Sequence, residues 1–439
     1  MPDSTAALDH RHLWHPFTQQ RDWCEEEPLV IERGEGTDLI DADGQRYIDG
    51  VSSLWCNVHG HRHPTIDEAI REQLDRVAHS TMLGLTHAPG AELAARLVEL
   101  APPGLNRVFY SESGSTAVEI ALKMAFQHHQ QRGGQHRRRT SFVTLSGAYH
   151  GDTLGSVSVG GIDLFHGAFG PLLFHAHQVE PGDVAELERV LDFHAEEIAA
   201  VIVEPLVQGA AGIRVQAPGY LRRVRELTEA HGIFLIADEV ATGFGRTGTM
   251  FACEQERVAP DLLCLGKGLT GGYLPLAATL ATERVYEGFL GAQEDFRTFF
   301  HGHTFTGNPL GCAAALASLE VFEREGTLLR LQPKMRLLGE LLTELASMPE
   351  VAEVRGRGFM AGIDLGEHDP GLRLGHRVVL EARRRGAIVR PLGETIVLMP
   401  PLTISKADLT RLVGIVGEAI EAAVGSAYPA AEPGLRLAA

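Results

Sequence analysis

The chain has 439 residues, which is enough for two or more domains with a sizeable core. Hydrophobic residues make up 44% and charged residues 22%, as is ordinary for a globular protein. The formal net charge of -18 argues against nucleic acid and anionic membrane surfaces as general partners.

The five cysteines form no C-x-x-C pair and their number is odd, which argues against a disulfide framework or a zinc site. A reducing cytoplasm is therefore the expected compartment. The N-terminal sequence MPDSTAALDHRH lacks the apolar stretch of a signal peptide. The longest apolar runs, such as residues 198–203, are too short to cross a membrane.

Short apolar runs alternate with helical patterns through the first two thirds of the chain. The first helix is indicated by Ile66, Ile70, Leu74 and Val77, which recur at helical spacing. The apolar runs then lie at 108–110, 142–145, 199–203, 233–237, 262–265 and 276–280, with helices at 116–130 and 220–230. This alternation predicts an α/β fold whose mostly parallel sheet is covered by helices on both faces.

The pattern changes after about residue 325. A long amphipathic helix at 328–346 precedes residues 351–365, which read as strands broken by Gly356, Gly358 and Gly362. A helix at 374–385, paired strands around 388–399 and a last helix that opens at Ser405 with a capping-box-like start complete the chain. These elements predict a second, smaller α+β domain.

Turn signals in DLIDADGQRYIDG predict strands near the N-terminus that join this smaller domain. The predicted division is an N-terminal segment at 1–60, a large domain at 61–325 and a C-terminal small domain at 326–439. Only the Ala-rich C-terminal tail has the composition of a disordered segment.

The segment 233–272 is the most informative for function. Asp238 ends one apolar run, and Lys267 stands between two glycines after another. This suits pyridoxal phosphate, because a carboxylate can keep the pyridine nitrogen protonated and an amine can bond to the aldehyde. A desolvated lysine is also more often neutral and nucleophilic. The alternatives are a surface lysine in a glycine turn and an aspartate that caps a turn.

Residues 112–116, ESGST, lie between an apolar run and a helix. Backbone N–H groups and hydroxyls at a helix N-terminus hold phosphate well. The alternative is an ordinary helix cap. With Asp238 and Lys267 downstream, we interpret the segment as a phosphate cradle.

The segment from Asp238 to Lys267 resembles the signature of class III aminotransferases, which are pyridoxal phosphate enzymes of fold type I. From residue 12 to about 401 the chain also resembles one group in that family, the adenosylmethionine–8-amino-7-oxononanoate aminotransferases of biotin biosynthesis. Six motifs in one order carry this resemblance: LWHPFTQ (13–19), DGVSSLWCNVHGHRHP (49–64), YSESGSTAVEIALKMAFQ (110–127), GAYHGDTLG (147–155), HGHTFTGNPLGCA (301–313) and VRPLGETIVLMPP (389–401).

The resemblance implies the cofactor contacts residue by residue. Gly114 and Ser115 would bind the phosphate, and Tyr149 would lie against the pyridine ring. Asp238 would hold the pyridine nitrogen. Lys267 would form the covalent link and shuttle the proton during transfer. For Tyr149 the alternative is a core aromatic, and His150 beside it is expected to be structural.

The resemblance also implies a homodimer with shared active sites. His303 and Thr304 are assigned to the cofactor site, with Thr304 reaching the phosphate bound by the neighbouring subunit. Gly302 would line the substrate pocket. Arg390 would pair with the oxononanoate carboxylate, for which a guanidinium is suited; its alternative is a surface ion pair. Trp55 would form an apolar wall, its alternative being core packing.

The amino donor stays open between S-adenosylmethionine and L-lysine. Many relatives that use S-adenosylmethionine carry two tryptophans where this chain has Leu54 and Trp55, and a tyrosine in place of Phe17. Relatives that use lysine tend to have an aliphatic residue and a phenylalanine there. Ala210 stands where ornithine- and 4-aminobutyrate-type members have a switch glutamate, which argues against a 2-oxoglutarate cycle.

The resemblance therefore implies amino transfer from S-adenosylmethionine to 8-amino-7-oxononanoate. One alternative is the same acceptor with L-lysine as donor, and another is a different ω-aminotransferase of diamines or amino ketones. A non-catalytic binding or scaffold protein is the alternative of another class. Intact Lys267 and Asp238 argue against it, because a scaffold needs neither.

Overall fold

A computed structural model of the protein describes residues 4–428. The Ala-rich C-terminal tail, expected from its composition to be disordered, lies outside the described residues. Among residues 4–428 no helix is long and apolar enough to cross a membrane.

A seven-stranded sheet forms the centre of the molecule. Its strands lie side by side in the order Leu105–Ser111, Ala277–Thr282, Leu262–Leu265, Phe234–Asp238, Ile198–Val203, Ser141–Leu145 and Ala176–Val179. The last five of these run parallel to one another, whereas Ala277–Thr282 is antiparallel to both of its neighbours. Five of the strands differ from an apolar run of the sequence by at most two residues at either end, whereas Leu105–Ser111 extends beyond its run at 108–110. No run indicated Ala176–Val179.

Both faces of this sheet are buried. In the Phe234–Asp238 strand, Phe234 and Ile236 point to one core cluster and Leu235 and Ala237 to another. All four side chains are fully buried, because helices cover the two faces. This arrangement confirms the predicted α/β class with a mostly parallel sheet.

The α-helices are Thr5–His12, Gln20–Glu25, Ser52–Trp55, Pro64–Arg76, Ala88–Leu100, Gly114–Arg132, Leu154–Ser158, Asp163–His166, Val184–His194, Tyr220–Ala230, Glu283–Tyr286, Pro309–Arg324, Thr327–Leu345, Leu374–Arg384 and Lys406–Ala427. Short 3-10 helices lie at Gly134–Arg138, Gly167–Leu172, Ala252–Glu256, Lys267–Thr270, Glu287–Phe289, Gln293–Asp295 and Pro370–Leu372. The last α-helix begins as its capping signal predicts, because Ser405 Oγ accepts the Asp408 N–H at 3.0 Å.

The C-terminal third contains an antiparallel sheet in the order Glu353–Arg357, Met360–Asp364, Thr395–Leu398 and Arg390–Leu392. The prediction that three glycines break its first strands is wrong for two of them. Gly356 and Gly362 lie inside the ladder, opposite Ala361 and Arg355. Gly358 alone makes the turn, at a φ of 65° that favours glycine.

The N-terminal strands Ile31–Glu35, Asp38–Asp41 and Arg46–Asp49 form a separate sheet that ends on Ala387–Ile388. This last pairing is parallel and joins the N-terminal segment to the C-terminal third, with Ile48 opposite Ala387. A small two-stranded sheet, Val207–Gln208 with Arg214–Val215, follows the fifth strand of the central order. The division at residues 60 and 325 stays a prediction.

Candidate active site

The candidate site lies where neighbouring parallel strands of the central sheet end. Asp238 is the last residue of its strand, and Glu204 follows the adjacent strand directly, since Ala237 pairs with Val203. Lys267 follows the next strand after one glycine. Ligands bind α/β sheets at this carboxyl edge, and here a cavity of about 550 Å³ opens over it.

Most of the predicted site residues meet in this cavity. Its lining includes Phe17, Leu54, Trp55, Gly114, Ser115, Tyr149, Asp238, Lys267 and Arg390. Gly302, His303 and Thr304 do not line it. They lie in the loop before the Pro309–Arg324 helix, where Gly302 and Thr304 are exposed. His303 Nδ1 donates to Glu112, next to the segment 113–115.

Lys267 is held in a backbone conformation that non-glycine residues rarely adopt. Its φ is 43°, and it opens the short Lys267–Thr270 helix. Burial lowers the pKa of its amine, whereas the negative charges of Asp238 and Glu204 act in the opposite direction. Its Nζ lies 5.1 Å from the centre of the Trp55 ring. The amine is thus directed into the cavity and partly desolvated, as nucleophilic chemistry requires.

Asp238 is almost fully buried, with 5% of its surface exposed. Its Oδ2 accepts a hydrogen bond of 2.7 Å from His150 Nδ1, and its Oδ1 accepts the Val240 N–H at 3.0 Å. The expected structural role of His150 thus takes a specific form, because this imidazole orients the carboxylate. A carboxylate held in one orientation suits a hydrogen bond from a protonated pyridine nitrogen better than a freely rotating carboxylate would.

The predicted phosphate cradle is the first turn of the Gly114–Arg132 helix. Ser113 caps this helix by accepting the Thr116 N–H at 3.2 Å, and the first backbone N–H groups of any helix have no partner within it. A Cβ added at Gly114 would collide with Val240, and one added at Gly151 would collide with Ser115. Both glycines therefore keep the backbone close to the space that a phosphate would fill.

These features fit pyridoxal phosphate. The cradle offers N–H groups and the Ser115 hydroxyl to a phosphate, while buried Asp238 offers a fixed carboxylate to a pyridinium. Lys267 offers an amine to an aldehyde. All three groups line one cavity, together with the aromatic side chain of Tyr149. Its hydroxyl donates to Asp152 Oδ2 at 2.8 Å, which anchors the phenol at the rim.

The Ser52–Trp55 helix holds the apolar wall in a strained backbone. Ser52, Ser53 and Trp55 all have φ values between 50° and 63°, which is costly for side chains other than glycine. Asp49 over-determines this conformation, since its carboxylate accepts the Ser53 N–H at 2.8 Å. The Trp55 side chain is only 7% exposed yet reaches the cavity, so it both packs in the core and forms a wall.

Sequence reasoning missed Glu204, whose two carboxylate oxygens accept the N–H groups of Tyr149 at 3.1 Å and Gly209 at 2.9 Å. Burial raises the pKa of Glu204 to about 7. The signal was present, because Glu204 follows an apolar strand directly, as Asp238 ends one. The presence of a carboxylate at the end of each of two neighbouring strands would have indicated both Glu204 and Asp238 as site residues.

Replacing His150 by alanine should weaken cofactor binding about 10- to 100-fold, since hydrogen bonds to charged groups contribute about 1.5–3 kcal/mol. The measurement is the dissociation constant of pyridoxal phosphate, obtained by titrating the cofactor-free enzyme. His150→Asn should recover part of the loss, because its amide N–H can take the place of Nδ1–H. An unchanged constant in the alanine variant would mean that Asp238 is held without this bond.

The chain is similar to proteins of one well-defined group. The family model described as aminotransferase class-III matches residues 20–420. Two proteins named adenosylmethionine-8-amino-7-oxononanoate aminotransferase are close relatives. The protein of Nitratidesulfovibrio vulgaris is 59% identical over 94% of this chain and 81% of its own length. The protein of Geobacter sulfurreducens is 50% identical over 97% of this chain and 100% of its own length.

Two crystal structures share the fold. The enzyme of the same name from Methanocaldococcus jannaschii superposes with a TM-score of 0.93 at 45% identity, covering 95% of this chain and 98% of that one. An amine transaminase from an uncultivated Pseudomonas species, solved with its cofactor bound, gives 0.88 at 38% identity and covers 95% and 99% of the two chains.

Proposed function

Since this chain belongs to the class-III aminotransferases, we propose that it makes 7,8-diaminononanoate in biotin biosynthesis by transferring an amino group to 8-amino-7-oxononanoate. Pyridoxal phosphate is its cofactor. The relatives that carry this name match nearly the whole chain, which supports the acceptor. S-adenosylmethionine is the proposed donor, because the names of those relatives include it.

The observation that carries the proposal is the state of Arg390. Its guanidinium lines the same cavity as Lys267, and burial lowers its pKa. Among residues 4–428 it has no carboxylate partner, and Ala210 in the same lining offers none. A cation in an apolar-walled cavity favours an anionic ligand. The acceptor carries one carboxylate on an aliphatic chain, which suits Arg390 at one end and Trp55 along its length.

When bound, pyridoxal phosphate would supply an aldehyde that can carry the amino group and a ring that can stabilise negative charge at the reacting carbon. The chain supplies the rest. Asp238, oriented by His150, holds a proton at the pyridine nitrogen. Lys267, whose pKa burial lowers, takes and returns the proton at the carbon that carries the amine. Trp55, which is 7% exposed, covers one side of the cavity with apolar surface.

The enzyme is proposed to act as a cytoplasmic homodimer with shared active sites. Thr304 and Gly302 are exposed in the single chain and outside its cavity, which supports a role toward a second subunit. All five cysteines are free, and Cys253, Cys264 and Cys312 are buried. Free thiols support a reducing compartment.

The donor is tested by single turnover of the yellow, cofactor-loaded enzyme. S-adenosylmethionine and L-lysine are added separately, and loss of the visible absorbance is followed. We expect S-adenosylmethionine to bleach the enzyme, and the bleached enzyme to recover its colour when 8-amino-7-oxononanoate is added. 7,8-Diaminononanoate should then appear in an amount equal to the enzyme.

Bleaching by lysine alone would reassign the donor and leave the acceptor unchanged. Leu54 and Phe17 would then be the first residues to exchange, since both line the cavity and differ from relatives that use S-adenosylmethionine. If neither amine bleaches the enzyme, the proposed function is wrong and other ω-amines need to be tried.

A further inference from the structure

A second buried carboxylate, Glu204, lies in the site and has no part in the mechanism above. It is 4% exposed and lines the cavity together with Asp238. The titratable groups near it include His150, Asp238 and Lys267. Each carboxylate oxygen accepts one backbone N–H, from Tyr149 and from Gly209. Burying a carboxylate is costly unless its oxygens are satisfied in this way.

The two N–H groups belong to segments next to two aromatic side chains that line the cavity, Tyr149 and Trp55. Tyr149 lies in the loop after the Ser141–Leu145 strand and lines the cavity. Gly209 packs directly against Trp55, because a Cβ added there would lie 3.0 Å from Cζ3 of the indole. One carboxylate therefore sets the position of the backbone that carries Tyr149 and of the backbone on which Trp55 rests.

The charge of Glu204 also reaches the reacting nitrogen. Asp238, Glu204, Cys56 and Arg246 are the charged or titratable groups that face Lys267. The first three raise the pKa of the amine, whereas Arg246 and burial lower it. Asp238 is engaged by His150 at 2.7 Å, while Glu204 accepts hydrogen bonds from neutral backbone groups only. Burial raises the pKa of Glu204 to about 7, so its negative charge acts on the Lys267 nitrogen above that pH.

We propose that Glu204 is a positioning residue of the active site. Its carboxylate holds the Tyr149 and Gly209 segments at a fixed separation, and its negative charge stabilises positive charge on the Lys267 nitrogen. This role does not depend on which donor or acceptor the enzyme uses.

The test is Glu204→Gln in the cofactor-loaded enzyme. The readout is the pH midpoint of the visible spectrum, which reports protonation of the nitrogen that joins Lys267 to the cofactor. Loss of the negative charge should move this midpoint down by about one pH unit, because a nearby opposite charge favours the protonated form. The amide can also accept only one of the two N–H groups, so KM and kcat should both worsen.

Glu239 provides a matched control. It is fully buried, burial raises its pKa to about 7, and it accepts the N–H groups of Ala252 at 2.6 Å and Cys253 at 2.8 Å. It does not line the cavity. Glu239→Gln should therefore lose stability to a similar degree without moving the spectral midpoint.

The Glu204→Asp variant separates the effect of the negative charge from the effect of side-chain length. It also provides the test if the glutamine variant does not fold. This variant keeps the charge, so its midpoint should stay near the wild-type value, whereas the shorter side chain should lose one N–H bond and raise KM. An unchanged midpoint in Glu204→Gln, or equal shifts in Glu204→Gln and Glu239→Gln, would overturn the proposal. Neither result depends on whether diaminononanoate is the product, so the proposed function is tested separately.

Discussion

Replacing Lys267 by alanine should lower amino transfer by about 10⁴-fold, the upper range for losing a positioned proton-transfer group. Burial lowers the pKa of the Lys267 amine, and among residues 4–428 no other lysine lines the cavity. The variant should also lose the visible absorbance of the cofactor–lysine link, and borohydride should no longer fix the cofactor covalently to the chain. Turnover with S-adenosylmethionine and 8-amino-7-oxononanoate, together with the visible spectrum, checks both effects.

Lys334 is the matched control for Lys267. Burial lowers its pKa to about 8, and its ammonium donates to the Leu402 carbonyl. It lies outside the cavity lining, so Lys334→Met should keep both the colour and turnover. A Lys267→Ala enzyme in which borohydride still fixes the cofactor covalently to the chain would mean that another amine holds the cofactor.

Much of the fold could be predicted because the central strands are buried on both faces. Residues such as 233–237 then appear as unbroken apolar runs, and the observed strand Phe234–Asp238 differs from that run by one residue at each end. The edge strand Ala176–Val179 was missed, because it is only partly buried and contains His177 and Gln178. Its pairing with Ser141–Leu145 depends on contacts that no local pattern encodes.

Individual residues of the site could be predicted from the sequence, whereas the hydrogen bonds between them could not. Asp238, Lys267 and the cradle at Gly114 each have a local signature, and the structure brings them into one cavity. The hydrogen bond from His150 to Asp238 joins residues 88 positions apart, and the one from the Tyr149 N–H to Glu204 spans 55. Such pairs follow from the order of strands in the sheet.

A different physical reason applies to Gly302, His303 and Thr304. The resemblance assigns them to a site that two subunits share, and a single chain holds only one side of it. His303 meets Glu112 beside the cradle of its own subunit, which keeps this loop close to the active site. Their roles toward cofactor and substrate stay predictions.

Replacing Arg390 by methionine should raise KM for 8-amino-7-oxononanoate about 30- to 4000-fold. Removing one partner of a buried charge pair costs about 2–5 kcal/mol, and each 1.4 kcal/mol is a factor of ten. Methionine keeps much of the side-chain volume while it removes the cation. Steady-state kinetics with the acceptor varied at saturating donor measure the effect. The rate of bleaching by the donor alone should change by a smaller factor than the KM for the acceptor.

Arg383 is the matched control for Arg390. Its replacement shows the effect of removing a half-buried guanidinium that does not line the cavity. Burial lowers the pKa of both, and both are intermediate in exposure, but only Arg390 lines the cavity. Arg383→Met should therefore leave the acceptor KM within about twofold of the wild type, a change of under 0.5 kcal/mol. If Arg390→Met also leaves it unchanged, the carboxylate of the acceptor is bound elsewhere, and the unpaired guanidinium no longer supports this substrate.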